Sequence, residues 1–388
     1  MNAIPWWQAA LLVLVCGLAA IGAAVRAWRL MRGEDGEYGE ARRWAGGGLL
    51  ALVAAVAVAI GACSTWNAWV EARVRQQMPA PNGVYVVNGL QMHLECMGGG
   101  EPTIILDAGL GNDSLIWGQI QPALAQTTQV CAYDRAGFGW SQRGPAPQDA
   151  DQIAGQLHGL LQQAGVTGPV VLMAHSIAGI YARDYTKLYP EQVKGLVLLD
   201  AATPLQGEHG SARLQARERI VPLGEMVWAR LEDLSGWTRL SGGCRADQKG
   251  FDPKTAQMLA EDECHLPFES IVQELDSVHQ SGEETMQRTS FGNLPVLIFS
   301  RDTDESAQPG MDAGVAVEYR AWWNGMQANL LNLSTDSRRV VVKGSGHYVF
   351  LKRPGLVVRE VQEFVEHVRD RAIPGNDATQ PGPLSRTE

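Results

Sequence analysis

Two uninterrupted apolar stretches open the chain, and a different rhythm follows them. Ile4 to Val25 is 22 residues without a charge, and Ala45 to Val70 is 26. At about 1.5 Å of rise per helical residue, each exceeds the roughly 30 Å of a bilayer's hydrocarbon layer, so both predict membrane-spanning helices. Beyond Pro79 to Gly83, a Pro/Asn/Gly break read as a linker, apolar residues come in short runs instead. Val84 to Val87 and Leu90 to Cys96 flank Asn88-Gly89, the strongest local signature of a tight hairpin. Runs of strand length recur at Thr103 to Leu106, Gln129 to Tyr133, Val170 to Met173, Gly195 to Leu199, Val296 to Phe299 and Arg339 to Val342. Between them lie helical patterns such as Asp149 to Ala164 and Ile177 to Leu188, the latter stopped by Pro190. Strand then helix, repeated, predicts an α/β body on a mostly parallel, doubly wound sheet, with function gathered at the carboxyl ends of the strands. Thr203 to Gly292 interrupts this rhythm with a mostly helical pattern, which predicts a cap inserted over those ends. After Ile373 no apolar period remains, and a disordered tail is expected over 373–388. The expected organisation is therefore a transmembrane hairpin over 1–75 (spans at about 4–25 and 45–70), a body over 76–372 with its cap at about 203–292, and the tail.

Aromatic and charged residues at the edges of the apolar stretches sharpen this picture. Trp6, Trp7, Trp28, Trp44, Trp66 and Trp69 are half of the 12 tryptophans in the chain, and indoles favour the headgroup region. The first stretch has no charged n-region and is followed by a second of equal length, which argues against a cleaved signal peptide. The connecting loop, Arg26 to Arg43, holds five arginines against two beyond the second stretch, so the positive-inside rule predicts a two-pass protein with a cytoplasmic loop. The body is then expected on the periplasmic or extracytoplasmic side.

The formal charge of −10 divides unevenly: residues 1–75 carry +2, and the remainder carries −12. An acidic body lacks the basic field that nucleic acid requires and disfavours anionic substrates. Cys16 and Cys63 sit in the apolar stretches, and Cys96, Cys131, Cys244 and Cys264 in the body, where three disulfide connectivities are open to them. No C-x-x-C or Cys/His spacing of zinc type occurs, so neither a metal nor a cofactor is expected.

The most informative stretch is VVLMAHSIAG, Val170 to Gly179, in which an apolar strand runs through Ser176 directly into a helix. A serine on so tight a turn holds its hydroxyl clear of the sheet, with small residues needed two before and two after it. Here those are Ala174 and Ala178 rather than glycine. Taken alone, the pattern also fits a serine that merely caps a helix. GSGHY, Gly344 to Tyr348, follows the last strand run and offers His347 as a general base. PVLIFSRDTD offers Asp302 and Asp304 as a carboxylate to hold the imidazole, and LVLLDA offers Asp200 one strand earlier.

Four motifs in this order resemble the α/β-hydrolase superfamily from about Asn82 to Arg371: ILDAGLG (Ile105 to Gly111), AYDRAGFGWS (Ala132 to Ser141), AHSIAG (Ala174 to Gly179) and GSGHYVFLKRP (Gly344 to Pro354). The resemblance implies an α/β-hydrolase fold with Ser176 as nucleophile and His347 as base. It implies Asp304 as the acid, nine positions after Pro295, in preference to Asp200 and then Asp302. The oxyanion donors would be the backbone amides of Ile177 and Leu110, the latter in a loop reading Asp107-Ala108-Gly109 where relatives have His-Gly. Asp134, Arg135, Gly137 and Gly139 are expected to shape a turn, and Trp140, Trp322 and Trp323 to pack in the interior rather than to line a pocket, the alternative open to them. The fold also makes the strands of Cys96 and Cys131 neighbours, which allows a cross-strand disulfide. Cys244 and Cys264 could close a 20-residue cap loop worth roughly 3 kcal/mol.

The function so implied is that of a membrane-anchored serine hydrolase cleaving a carboxylic ester, of small-molecule or lipidic type, through an acyl-enzyme. Amide or peptide hydrolysis and acyl transfer would use the same triad. A binding ectodomain on an inactive hydrolase fold is the alternative of another class, prompted by Ala174, Ala178 and the missing His-Gly. The expected partners are the ester and the lipid bilayer, without nucleic acid.

Overall fold

The computed structural model describes residues 6–32, 40–77, 83–208, 210–213, 223–244, 249–264, 267–302, 313–372 and 384–387. Two long helices come first, α1 (Trp6–Arg32) and α2 (Glu40–Gln77). Where they pack against each other the buried residues are small: Ala20, Ala23 and Ala27 on α1, and Ala57 on α2. Larger apolar side chains such as Leu14, Leu18, Ile21, Leu49, Leu52 and Val56 are exposed. This inverts the pattern of a water-soluble helix pair, in which the large apolar residues would be covered.

The body is a sheet in the order β1-β2-β4-β3-β5-β6-β7-β8-β9. Its strands are β1 (Val84–Val87), β2 (Leu90–Met97), β3 (Thr103–Asp107), β4 (Val130–Tyr133), β5 (Val170–His175), β6 (Val193–Leu199), β7 (Val296–Arg301), β8 (Ser337–Val342) and β9 (Leu384–Thr387). β1 and β2 form the hairpin, turned by Asn88 at φ 51° and Gly89 at φ 82°, the pair of positive φ values that matches strand twist. β2 joins β4 antiparallel, and every later pairing is parallel. β3, β5 and β7 are buried along their whole length, which explains their continuous apolar runs. Helices α3 (Ala150–Gln163), capped by Asp149, α4 (Ala178–Leu188) and α10 (Pro354–Ala372) complete the layers. One apolar cluster joins Leu157, Leu161 and Tyr181 to one face of the sheet, and another joins Val357, Val361 and Phe364 to the other.

β9 departs from the expected disordered tail. Leu384–Thr387 pairs in parallel with Arg338–Val341, because the outer edge of β8 offers backbone donors and acceptors that a segment without apolar period can still satisfy. Residues 303–312 and 373–383, and the linker segment 78–82, lie outside the described residues.

Between β6 and β7 the cap contributes α5 (Leu223–Ser235), a single turn at Trp237–Leu240, α6 (Pro253–Asp262), α7 (Phe268–Asp276) and α8 (Val278–Met286). After β7 comes α9 (Ala313–Asn329). The cap docks on α2 through a polar stripe, since Ser64, Asn67 and Glu71 share one helical face and are all buried. Asn67 Nδ2 donates to the Asp233 carbonyl at 3.0 Å, and Arg239 Nε donates to Asn67 Oδ1 at 3.1 Å while its Nη2 reaches Glu261 at 2.7 Å. Val74, at the end of α2, packs with Met258 of α6. Cys96 and Cys131 stand directly opposite in the β2–β4 register, with Cα atoms 4.0 Å apart, and are disulfide-bonded. Cys244 and Cys264 form the second bridge, inside the cap.

Candidate active site

The β5–β6 register places His175 beside Leu199, so the next residues, Ser176 and Asp200, leave neighbouring strands at the same level of the carboxyl edge. Both have positive φ, 56° for Ser176 and 44° for Asp200, a conformation that costs a residue with a side chain about 1–3 kcal/mol. Backbone bonds hold the Ser176 turn: its amide donates to Leu199 O at 3.2 Å, and its carbonyl accepts from Gly179 and Ala202 at 3.0 and 2.8 Å. His347 arrives from the loop after β8. Its Nε2 lies 2.9 Å from Ser176 Oγ, and its Nδ1 lies 2.7 Å from Asp200 Oδ2. One imidazole thus bridges a hydroxyl and a carboxylate.

Asp200 is fully buried and well supplied with donors. Trp323 Nε1 donates to its Oδ1 at 2.9 Å, the Arg301 amide donates to the same oxygen at 3.1 Å, and Arg301 Nε lies 3.3 Å from Oδ2. Burial opposes ionisation of this carboxyl, but the hydrogen bond from His347 and the charge of Arg301 outweigh it and hold the group below the usual carboxylate range. Of the carboxylates weighed for this role, Asp200 is the one that the described residues place on His347. Asp304 lies outside the described residues, and the carboxylate on His347 is that of Asp200. A count from Pro295 assumes a fixed loop length, whereas strand register decides which carboxylate reaches the imidazole. Asp302 instead ties down the loop carrying His347, since its Oδ2 accepts from the Gly344 amide at 3.0 Å and its amide donates to Ser345 O at 3.1 Å.

The loop after β3 runs against the serine. A Cβ on Gly109 would lie 2.8 Å from His175 Nδ1 and 3.3 Å from Ser176 Cβ, so only glycine fits there. Among the described residues, neither the Leu110 amide nor the Ile177 amide has a protein acceptor. His175 is buried, and its Nε2 donates to the His347 carbonyl at 3.1 Å. Burial, and then the charge of His347, push its pKa down to about 3, so it is neutral there.

Arg135, expected only to shape a turn, proves to be the brace of this loop. It donates to the carbonyls of Ala108 and of Gly109, the latter at 3.1 Å, and to Asp107 Oδ1 at 2.8 Å. Its Nε and Nη2 reach the cap at Glu274, at 2.7 and 3.2 Å. Burial raises the Asp107 pKa to about 6 although Arg135 and the Tyr133 hydroxyl pull it down. Asp134 does organise its turn, accepting from the Ser114 and Trp140 amides at 2.7 and 2.9 Å and facing His93 Nδ1 at 2.8 Å. Gly139 sits where a Cβ would strike that carboxylate. Trp323 is buried as expected, but its bond to Asp200 gives it a place in the site that packing alone does not capture. Among the described residues no cluster of metal-ligating groups occurs.

The family pattern described as "Alpha/beta hydrolase family" matches residues 104–360. A curated relative, "Probable transporter efuK" of Hormonema carpetanum, is 24% identical over 288 residues, which is 69% of this chain but only 40% of that protein. The chain thus spans less than half of the length of that relative. The enol-lactonase from Burkholderia xenovorans LB400 is similar in fold, with TM-score 0.54 and 20% identity over 73% of this chain and 99% of that one. A thermophilic esterase from Thermogutta terrifontis gives TM-score 0.53 and 20% identity, over 72% and 94% of the two chains. The family match takes in the sheet from β3 to β8 together with the serine turn and the histidine loop, and the chain belongs to the α/β-hydrolase family.

Proposed function

We propose that the protein is a membrane-anchored serine hydrolase that cleaves a carboxylic ester through an acyl-enzyme. The observation that carries this reading is the continuous line Ser176 Oγ, His347 Nε2, His347 Nδ1, Asp200 Oδ2, with contacts of 2.9 and 2.7 Å. His347 takes the serine proton as Oγ attacks the ester carbonyl, and Asp200 fixes the Nδ1–H tautomer and stabilises the imidazolium. The Ile177 and Leu110 amides receive the oxyanion. Protonated His347 then gives its proton to the leaving alkoxide. Water, deprotonated by the same imidazole, releases the acid. A serine at the elbow argues against haloalkane or epoxide chemistry of the kind that uses a carboxylate nucleophile.

Anchoring is supported by two helices long and apolar enough to cross a bilayer, Val13–Leu30 and Gly47–Val74 in their most apolar parts, whose large side chains face outward. The two disulfides fit a body in an oxidising compartment, the side that the arginine-rich loop predicts. Labelling of the detergent-solubilised protein with a fluorophosphonate tests the chemistry. Wild type is expected to label, and Ser176→Ala and His347→Ala are not. A folded wild type that stays unlabelled would remove the serine-hydrolase reading.

A further inference from the structure

The cap carries apolar side chains that no part of the described chain covers. Trp228 and Leu231 on α5 are 63% and 44% exposed, and Trp237 and Leu240 on the next turn are 56% and 52% exposed. Each pair is spaced i, i+3, so each forms one helical face. Trp228 satisfies its indole N–H within its own helix, on Glu232 Oε1 at 2.8 Å.

Their depth follows from α2. A span needs about 20 residues to cross the hydrocarbon layer, which from Gly47 brings the helix to Trp66. The cap touches α2 at this level. A Cβ on Gly236, the residue before Trp237, would lie 2.8 Å from Asn67 Cβ and 3.3 Å from the Cys63 carbonyl. Trp66 and Trp69 are exposed here too, and the Arg73 guanidinium lies 5.2 Å from the Trp69 ring. Indoles with a cation beside them mark the headgroup boundary.

We propose that the exposed side chains Trp228, Leu231, Trp237 and Leu240 rest in the boundary between headgroups and acyl chains, and that the enzyme draws an apolar ester from the bilayer rather than from water. This rests on the reading of α1 and α2 as spans and of Ser176 as an ester nucleophile. Trp237 follows directly on Gly236, which abuts Asn67 of α2 at the level where exposed Trp66 and Trp69 mark the boundary, and this depth selects lipid as the occupant of the uncovered side chains. The same cap reaches the loop beside the serine, through Glu274 on Arg135. A cap seated in the boundary therefore places the site within reach of bilayer-dissolved molecules.

The test uses the full chain in phosphatidylcholine–phosphatidylglycerol vesicles, with Cys16→Ser and Cys63→Ser and an NBD fluorophore on Trp237→Cys, against a control on Gln163→Cys. Blue-shifted emission at 237, quenched by 5-doxyl lipid, with water-like emission at 163, is expected. Water-like emission at 237 in protein that resists carbonate extraction overturns the inference alone. A blue shift without lipid quenching means that a second copy or another protein covers the patch, and also overturns it. Release by carbonate overturns the span reading and the inference together. For delivery, the Leu231→Lys/Trp237→Lys variant is expected to lose about tenfold in hydrolysis of vesicle-dissolved p-nitrophenyl palmitate while keeping its rate on aqueous p-nitrophenyl acetate. Equal effects on the two esters would overturn delivery from the bilayer.

Discussion

Arg135 and Glu274, 139 positions apart, are joined by two hydrogen bonds of 2.7 and 3.2 Å that tie the loop beside the serine to the cap. Both side chains are almost wholly buried, at 2% exposure each. The arginine therefore stands between two carboxylates, Asp107 and Glu274, and also holds two carbonyls of the loop that precedes Leu110.

Removing one member of such a buried cluster leaves uncompensated charge, at a cost of about 3–5 kcal/mol. Arg135→Met, which strands two carboxylates, should destabilise more than Glu274→Gln. Arg135→Met/Glu274→Met should fall short of the sum of the single changes. Denaturant unfolding of the solubilised protein checks this order. Arg135→Lys cannot reproduce the forked contacts and should lower kcat by about tenfold or more with little change in KM, because it loosens the loop that carries the proposed oxyanion donor.

Asp200→Asn should lower kcat by about 10³–10⁴-fold while leaving the fold intact, since the amide can no longer fix the productive tautomer of His347. Asp302→Asn takes the charge from a contact to the Gly344 amide, which the Asn oxygen can still accept, and touches nothing on the imidazole, so its loss should stay within about tenfold. A larger loss at Asp302 than at Asp200 would reverse the assignment of the acid.

The paired carboxylate shows where sequence reading reaches and where it stops. The Asn88-Gly89 hairpin, the buried strands, the serine turn and the histidine loop are all written in local pattern, because each needs only neighbouring residues of a given size or polarity. Asp200 and Asp302 each follow an apolar strand, and both look like turn formers. Only the register between β5 and β6, a long-range property, sets Asp200 beside Ser176. Arg135 and Glu274 are harder still. Nothing near Arg135 in sequence tells a turn arginine from one that clasps a helix 139 residues away. The cap has the same difficulty, since it packs on the polar face of α2 through Asn67 and Arg239, and a polar helical face does not say which distant residues will cover it.

His175 gives a pH dependence of definite sign. Its folded pKa, about 3, lies below the unfolded value near 6.5, so the unfolded chain binds more protons between these limits. The stability linked to this group is present above pH 6.5 and is lost as pH falls toward 3. Between pH 8 and pH 5 the stability advantage of the parent over His175→Asn should shrink by about 2 kcal/mol, as read from urea unfolding at the two pH values. An advantage that grows on acidification would contradict a neutral buried imidazole.

The two disulfides should differ in weight. Cys96–Cys131 closes 35 residues and Cys244–Cys264 closes 20. On the chain-entropy argument the first contributes about 4 kcal/mol and the second about 3. Native protein should therefore show no alkylatable body thiol until reduced, and the Cys96→Ser/Cys131→Ser variant should unfold at lower urea than Cys244→Ser/Cys264→Ser.

The polar stripe Ser64, Asn67 and Glu71 bears on how the molecule can be taken apart and how it comes together. Hydropathy suggests a cut near residue 75, with an anchor on one side and an enzyme on the other. Yet the last turns of α2 are wall to the cap, and a body produced by that cut would carry Gly236, Arg239 and Met258 against water where a helix belongs. Replacing α2 with an unrelated helix of equal length would not restore them. During synthesis the same stripe delays completion: the helix can form early, but its polar face finds its partners only after some 170 further residues have been made and folded back.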